Sequence, residues 1–269
     1  MRHHIMSFSG GFDSTLWLLY FLEEVSAHSK KNKNEELKYN TPFLLKIKDF
    51  DTTENKIILV SVTHDSIGNV KNLKEYHARE KIINLCKKKY PDVKIDHIKI
   101  NISLNTTSTL NGNTGLAQPM IWLSSIMPFM HEDDILYFGH IKNDAEVLIH
   151  DSINKIISGF TELQYPYIST SNHKIKVSCP LMTLSKEDVL FNLYNIDKDI
   201  FESCVTCESF KNESTVCGIC HTCMNLKSAL LSLMMDDNLE KSKFGLTYFS
   251  EWFAKSEHQK NIINAMLEI

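Results

Sequence analysis

The chain has 269 residues, 43% of them apolar and 23% charged, with a formal net charge of −4 at pH 7. Those proportions suit a globular α/β domain with an appendage and a sizeable core, and the small acidic excess gives no overall attraction to nucleic acid. Apolar runs stop short of the roughly 18–20 residues that a membrane span needs, and the N-terminus starts straight into a strand without a signal peptide's apolar core, so a cytoplasmic protein is expected.

The first element is the apolar run Ile5-Met6-Ser7-Phe8, followed by Ser9-Gly10-Gly11-Phe12-Asp13-Ser14-Thr15 and the apolar face Trp17, Leu18, Phe21, Leu22 and Val25. A buried strand, a tight turn and a helix from about Ser14 to Ser29 are expected. The glycines permit backbone angles and close approaches that a β-carbon would block. The first helical turn leaves N–H groups without partners, and its dipole favours an anion there. Hydroxyls at Ser9, Ser14 and Thr15 add donors, so the turn suits phosphate. No Gly-Lys-Ser/Thr follows, which excludes a Walker loop. Ser-Gly-Gly-x-Asp-Ser instead resembles the pyrophosphate loop of the ATP pyrophosphatase superfamily. That resemblance implies cleavage of ATP between its α and β phosphates.

A Lys/Asn-rich stretch over 30–55 has little to bury and reads as a solvated insertion, with a short edge strand at 43–47. Lys56 to Thr63 is the second strand. Asn69 to Tyr90 is a helix with Leu73, His77, Ile82, Leu85 and Cys86 near one face, ended by Pro91. Its lysines 87–89 meet the negative end of the dipole. Ile95 to Ile100 is a third strand, 105–114 a loop, Leu116 to Met130 a helix and Ile135 to Gly139 a fourth strand. Asp144 to Phe160 is helical, and Ile175 to Ser178 a fifth strand. Ser185 then caps a helix with acids in its first turn. Strands alternating with helices imply a doubly wound, mostly parallel sheet with its ligand at the carboxyl ends of the strands.

Five of the seven cysteines fall between 204 and 223. Cys217-Gly218-Ile219-Cys220-His221-Thr222-Cys223 spaces three thiolates for one tetrahedral Zn²⁺, and either Cys207 or Cys204 can complete the set. Closure by four thiolates implies a structural ion. Cys86 and Cys179 lie outside the cluster and read as small buried apolar groups.

The opening turn, the segment Pro180-Leu181-Met182-Thr183-Leu184-Ser185-Lys186-Glu187-Asp188 and the cysteine cluster form an ordered set. That set resembles the 7-cyano-7-deazaguanine synthase family, over about Ile5 to Leu230. The resemblance implies that ATP and ammonia convert a 7-deazaguanine carboxylate to a nitrile through an amide. It implies ATP on Ser9, Gly10, Gly11, Asp13, Ser14 and Thr15, with Asp13 and Lys186 catalytic and Lys186 a cation for the phosphates. Mg²⁺ would sit against Asp13 or Asp144. The family's zinc pattern favours Cys207 over Cys204. Gly139 and Asp144 match its Gly-x-x-x-Thr-Asp segment, with Asn143 in place of Thr.

Departures fall on the substrate side. The family's Val-Pro-Gly-Arg-Asn is here Gln118-Pro119-Met120-Ile121-Trp122, and its Ser-Gly-Tyr-Pro-Asp-Cys-Arg is here Ala145 to Asp151. Adenylation with a protein or nucleic-acid amine as acceptor is therefore a second reading. A zinc-containing interaction module with an inactive nucleotide fold is the non-enzymatic one. The expected organisation is an α/β domain over 1–200, a zinc segment over 201–235 and a helical tail over 236–269. The tail's apolar stripe suits the core or a homodimer face. Expected partners are a small-molecule carboxylate with ammonia or an amine, a protein partner remaining open.

Overall fold

The computed structural model describes residues 3–31, 56–64, 69–102, 118–130, 134–142, 155, 159, 176–207 and 216–253. The insertion at 32–55, the loop at 105–114 and the tail beyond 253 lie outside these residues. So does the expected helix from Asp144 to Phe160, apart from Lys155 and Gly159, both helical.

Five strands, β1 (His4–Ser7), β2 (Lys56–His64), β3 (Lys94–Ile102), β4 (Ile135–Tyr137) and β5 (Lys176–Ser178), form one sheet in the order β3-β2-β1-β4-β5. All four pairings are parallel. The register puts Met6 beside Leu59 and Tyr137, and Ile5 beside Ile58 and Leu136. Because side chains alternate along a strand, the first row lies on one face and the second on the other. Tyr137, from the first row, meets Trp17 and Phe21 of helix α1 (Phe12–Lys31), at ring centroid distances of 5.2 and 6.3 Å. Ile5 and Leu136 join Leu123 and Ile126 of helix α3 (Gln118–Ile126) in a second buried cluster. Both faces are covered, as a parallel sheet requires.

The helices start and stop for local reasons. Helix α1 begins at Phe12, two residues before the expected Ser14, because Gly10 turns the chain at φ +80°. Helix α3 gives way to a 3₁₀ turn at Met127–Phe129 instead of running to Met130. Pro128 has no N–H to give and disfavours helical angles at Met127. Helix α2 (Asn69–Lys89) buries Ala78, Arg79, Ile82, Ile83 and Cys86, whereas Leu73 and His77, expected near the buried face, are exposed.

The chain divides into two compact units. One comprises Met1–Ser9, Asp13–Ser66 and Ile83–Thr183 and carries the sheet; the other comprises Gly10–Phe12, Ile67–Ile82 and Leu184–Ile269. The second unit holds helices α4 (Lys186–Ile196), α5 (Lys198–Ser203), α6 (His221–Met234) and α7 (Leu239–Phe253). Phe12, Tyr194, Phe201, Phe244 and Tyr248 form its aromatic core, with neighbouring ring centroids 4.8 to 5.7 Å apart. Helix α7 therefore packs on the core over its described length.

Candidate functional site

The strand order reverses direction between β1 and β4, and the turn after β1 leaves the sheet at that point. In open parallel sheets this switch point leaves a crevice at the carboxyl ends of the strands. Phe8 prolongs the pairing, its N–H donating to the Val60 carbonyl at 2.9 Å. Ser61 Oγ donates to the Phe8 carbonyl at 2.7 Å and lies 2.9 Å from His97 Nε2. The end of β1 is thus fixed from its neighbours before the turn begins.

Within the turn, the Ser9 and Ser14 hydroxyls lie 3.0 Å apart, which brings two donors together at the first turn of α1. Asp13 is the acidic residue of that turn. Thr15 is fully buried, and its Oγ1 has no hydrogen-bond partner among the described residues. A buried hydroxyl without a partner carries a desolvation cost that a ligand oxygen can offset. Gly139, just past β4, comes against the same backbone. A β-carbon there would lie 2.8 Å from Ser14 N and 2.9 Å from Ser14 Cα. Only glycine lets the end of β4 approach the start of α1 so closely. Gly10 has a comparable constraint, since a β-carbon on it would lie 2.9 Å from Arg79 Cγ.

Arg79 is a residue that sequence reasoning missed. It is 3% exposed, and its Nη1 lies 3.4 Å from Glu75 Oε2, one helical turn earlier. Lys71 Nζ approaches the same carboxylate at 3.7 Å. Burial pulls the Arg79 guanidinium below its usual value, opposed by Glu75, and burial raises the Glu75 carboxyl. The only sign in the sequence was an i, i+4 acid–base pair, which normally marks a solvated helix face.

Lys186 opens α4 behind a complete capping box. Ser185 Oγ accepts from the Asp188 N–H at 3.2 Å, and Asp188 Oδ2 accepts from the Ser185 N–H at 3.3 Å. The box fixes the helix start and with it the root of the Lys186 side chain. Its ammonium lies 5.8 Å from the centroid of the Phe12 ring, which belongs to the turn itself. Asp144, the other expected magnesium or substrate residue, lies outside the described residues.

The cysteines do gather. The sulfurs of Cys207, Cys217, Cys220 and Cys223 all lie within 4.8 Å of one another, with Cys217 and Cys223 3.9 Å apart. A tetrahedral ion with bonds of about 2.3 Å to sulfur needs sulfurs about 3.8 Å apart. Gly218, at φ +76°, turns the chain between the second and third ligands. The N–H groups of Cys217 and Cys220 point at Cys207 Sγ (3.4 Å) and Cys217 Sγ (3.3 Å). Such N–H donors steady thiolate charge. Burial pushes the Cys217 thiol up, and a hydrogen bond with Cys207 together with burial does the same for Cys223. Four crowded thiols resist ionisation unless a cation takes up their charge, so the donor set fits Zn²⁺. Cys204 is not in the cluster; its Sγ lies 3.5 Å from the Ile200 carbonyl oxygen. Trp252 of α7 packs against the cluster of Cys207, Cys217 and Cys223.

Residues 137–234 match the family model described as queuosine biosynthesis protein QueC. This stretch of the chain is QueC-like. It runs from the last residue of β4 to the end of α6, and so takes in Gly139, Lys186 and all four clustered cysteines. The QueC-like stretch is a little over a third of the chain and leaves out the turn at Ser9–Thr15. No curated protein matches the chain. Among the described residues, no helix is long and apolar enough to cross a membrane.

Proposed function

We propose that the chain is an ATP-dependent C–N ligase that adenylates a 7-deazaguanine carboxylic acid. One observation carries the reading. Gly139, inside the QueC-like stretch, packs directly on Asp13 and Ser14 of the phosphate-type turn outside it. The turn read from sequence motif and the first residues of the segment matched by family therefore meet at the end of β4.

In this reading the triphosphate rests on Ser9, Gly10, Gly11, Asp13, Ser14 and Thr15. Backbone N–H groups of the first turn of α1 and the hydroxyls of Ser9, Ser14 and Thr15 donate to its oxygens. The substrate carboxylate attacks the α-phosphorus and pyrophosphate departs. Negative charge gathers on the α-phosphoryl oxygens as the bond to the leaving group breaks. Helix N–H groups and the Lys186 ammonium stabilise that charge more in the transition state than in the ground state. Mg²⁺, held by Asp13 or Asp144, would neutralise phosphate charge. Ammonia then displaces AMP from the acyl-adenylate to give the amide, and a second activation of the amide oxygen gives the nitrile. Cys207, Cys217, Cys220 and Cys223 would hold Zn²⁺, which would supply cross-linking rather than Lewis acidity with four thiolate ligands.

Incubation with ATP, Mg²⁺, ammonia and 7-carboxy-7-deazaguanine should release AMP and give a product lighter than the acid by the elements of the nitrile conversion. Finding neither AMP nor a new product by mass analysis would sink the proposal.

The start of α3 favours a second acceptor. Gln118-Pro119-Met120-Ile121-Trp122 lacks the Arg and Asn that the resembling family carries there. The same acyl-adenylate would then pass to a protein or nucleic-acid amine, and a mass gain on the partner separates this outcome from nitrile synthesis. Sulfur transfer is disfavoured by the remaining cysteines. Cys86 is fully buried, and burial pushes the Cys179 thiol up to about 11.

A further inference from the structure

We infer that the strap Cys204–Cys207 couples occupancy of the four-cysteine centre to the position of the turn Gly10–Phe12, with Val205 as the positioning residue. The Val205 N–H donates to the Gly10 carbonyl at 3.2 Å. Two residues further on, Cys207 is fully buried within the sulfur cluster. Two residues before it, Ser203 ends α5, whose Phe201 ring lies 4.9 Å from the ring of Phe12. The turn is therefore held at both ends of its short run, by a backbone hydrogen bond at Gly10 and a ring contact at Phe12. Both holds come from the segment that leads into the metal ligand.

On its other side Gly10 is backed by Arg79, whose Cγ would lie 2.9 Å from a β-carbon there. A displacement of the strap must therefore move the Gly10 carbonyl or break its hydrogen bond. Cys207 in turn is steadied by Cys217, Cys220 and Cys223, whose thiols gain a common cation only when the ion binds. Metal binding and turn geometry then favour each other, and such coupling is reciprocal. The consequence for ATP rests on the proposed function, but the geometric coupling does not.

Hydrogen–deuterium exchange on the full chain tests the coupling without a nucleotide. The zinc-loaded wild type is compared with the chelated protein and with zinc-loaded Val205→Pro, which has no N–H to donate. Loss of this one hydrogen bond should raise exchange over residues 9–13 about five- to tenfold, as expected for roughly 1 kcal/mol. Exchange in β2 and β3 should stay unchanged. In Val205→Pro, zinc should still bind at one ion per chain, but more weakly. Where chelation also melts α6, the Val205→Pro comparison at full zinc decides, and Val205→Ala, which keeps the N–H, should behave as wild type. Equal exchange over residues 9–13 in Val205→Pro and wild type would overturn the coupling. If the wild type fails to bind ATP, the functional reading falls and the exchange result still stands. If ATP binds, Val205→Pro should weaken it by a similar factor.

Discussion

Position 139 is held to glycine by backbone at the switch point. Its missing β-carbon is what admits the Ser14 amide, and the obstruction would be backbone rather than a flexible side-chain end. Gly139→Ala must therefore push β4 and the start of α1 apart, and overpacking of this kind costs about 1–3 kcal/mol. We expect a lower denaturation midpoint and, at protein concentrations where the variant is folded, weaker ATP binding by titration calorimetry. Unchanged values for both would show that the contact is slack. Arg79 makes the complementary point. A buried guanidinium paired within its own helix looks, in sequence, like any surface acid–base pair, and only the packing on Gly10 distinguishes it.

At the scale of elements, α6 and α7 show how the carboxyl-terminal segment joins the fold. Gly245 in α7 lies so close to α6 that a β-carbon would stand 2.7 Å from Met234 N and 2.9 Å from the Leu230 carbonyl oxygen. Helices approach this closely only where a side chain is absent. Lys241 adds a tie from α7 to α4, its Nζ 3.3 Å from Asp188 Oδ1 within the same capping box that sets Lys186. Gly245→Ala should force the helices apart and lower stability by about 1–3 kcal/mol, read as a lower urea midpoint. It should also loosen Trp252 from the cysteine cluster, seen as a red-shifted tryptophan emission band. An unshifted midpoint would mean that the two helices slide freely past each other. The capping box at Ser185 was readable in sequence. Which helix α7 packs on was not, because amphipathicity marks a face without naming its partner.

Across the whole molecule, stability should depend on pH through Glu24, half-buried on α1. Burial pushes its carboxyl up to about 7 in the folded chain. The folded state thus holds the proton more tightly than the unfolded one. Its contribution is complete below the ordinary carboxylate range, declines as pH rises towards 7, and is gone above it. Glu24→Gln removes the charge that must be buried at high pH. The variant's melting temperature should gain on wild type between pH 5 and pH 8; parallel curves would exclude Glu24 as the source.

Local sequence was enough for the five described strands, the turn at Ser9–Thr15, the helix capped by Ser185 and the three-cysteine run at 217–223. Each of these is a local pattern: alternation of apolar residues, glycines before a helix start, a hydroxyl with an acid three residues on, thiols at fixed spacing. Other contacts came only with the tertiary structure: Gly139 seats on Ser14, Arg79 backs Gly10 and Val205 ties the cysteine segment to the turn. Those contacts pair residues far apart along the chain, and no local periodicity can encode which distant backbone will come to lie against which.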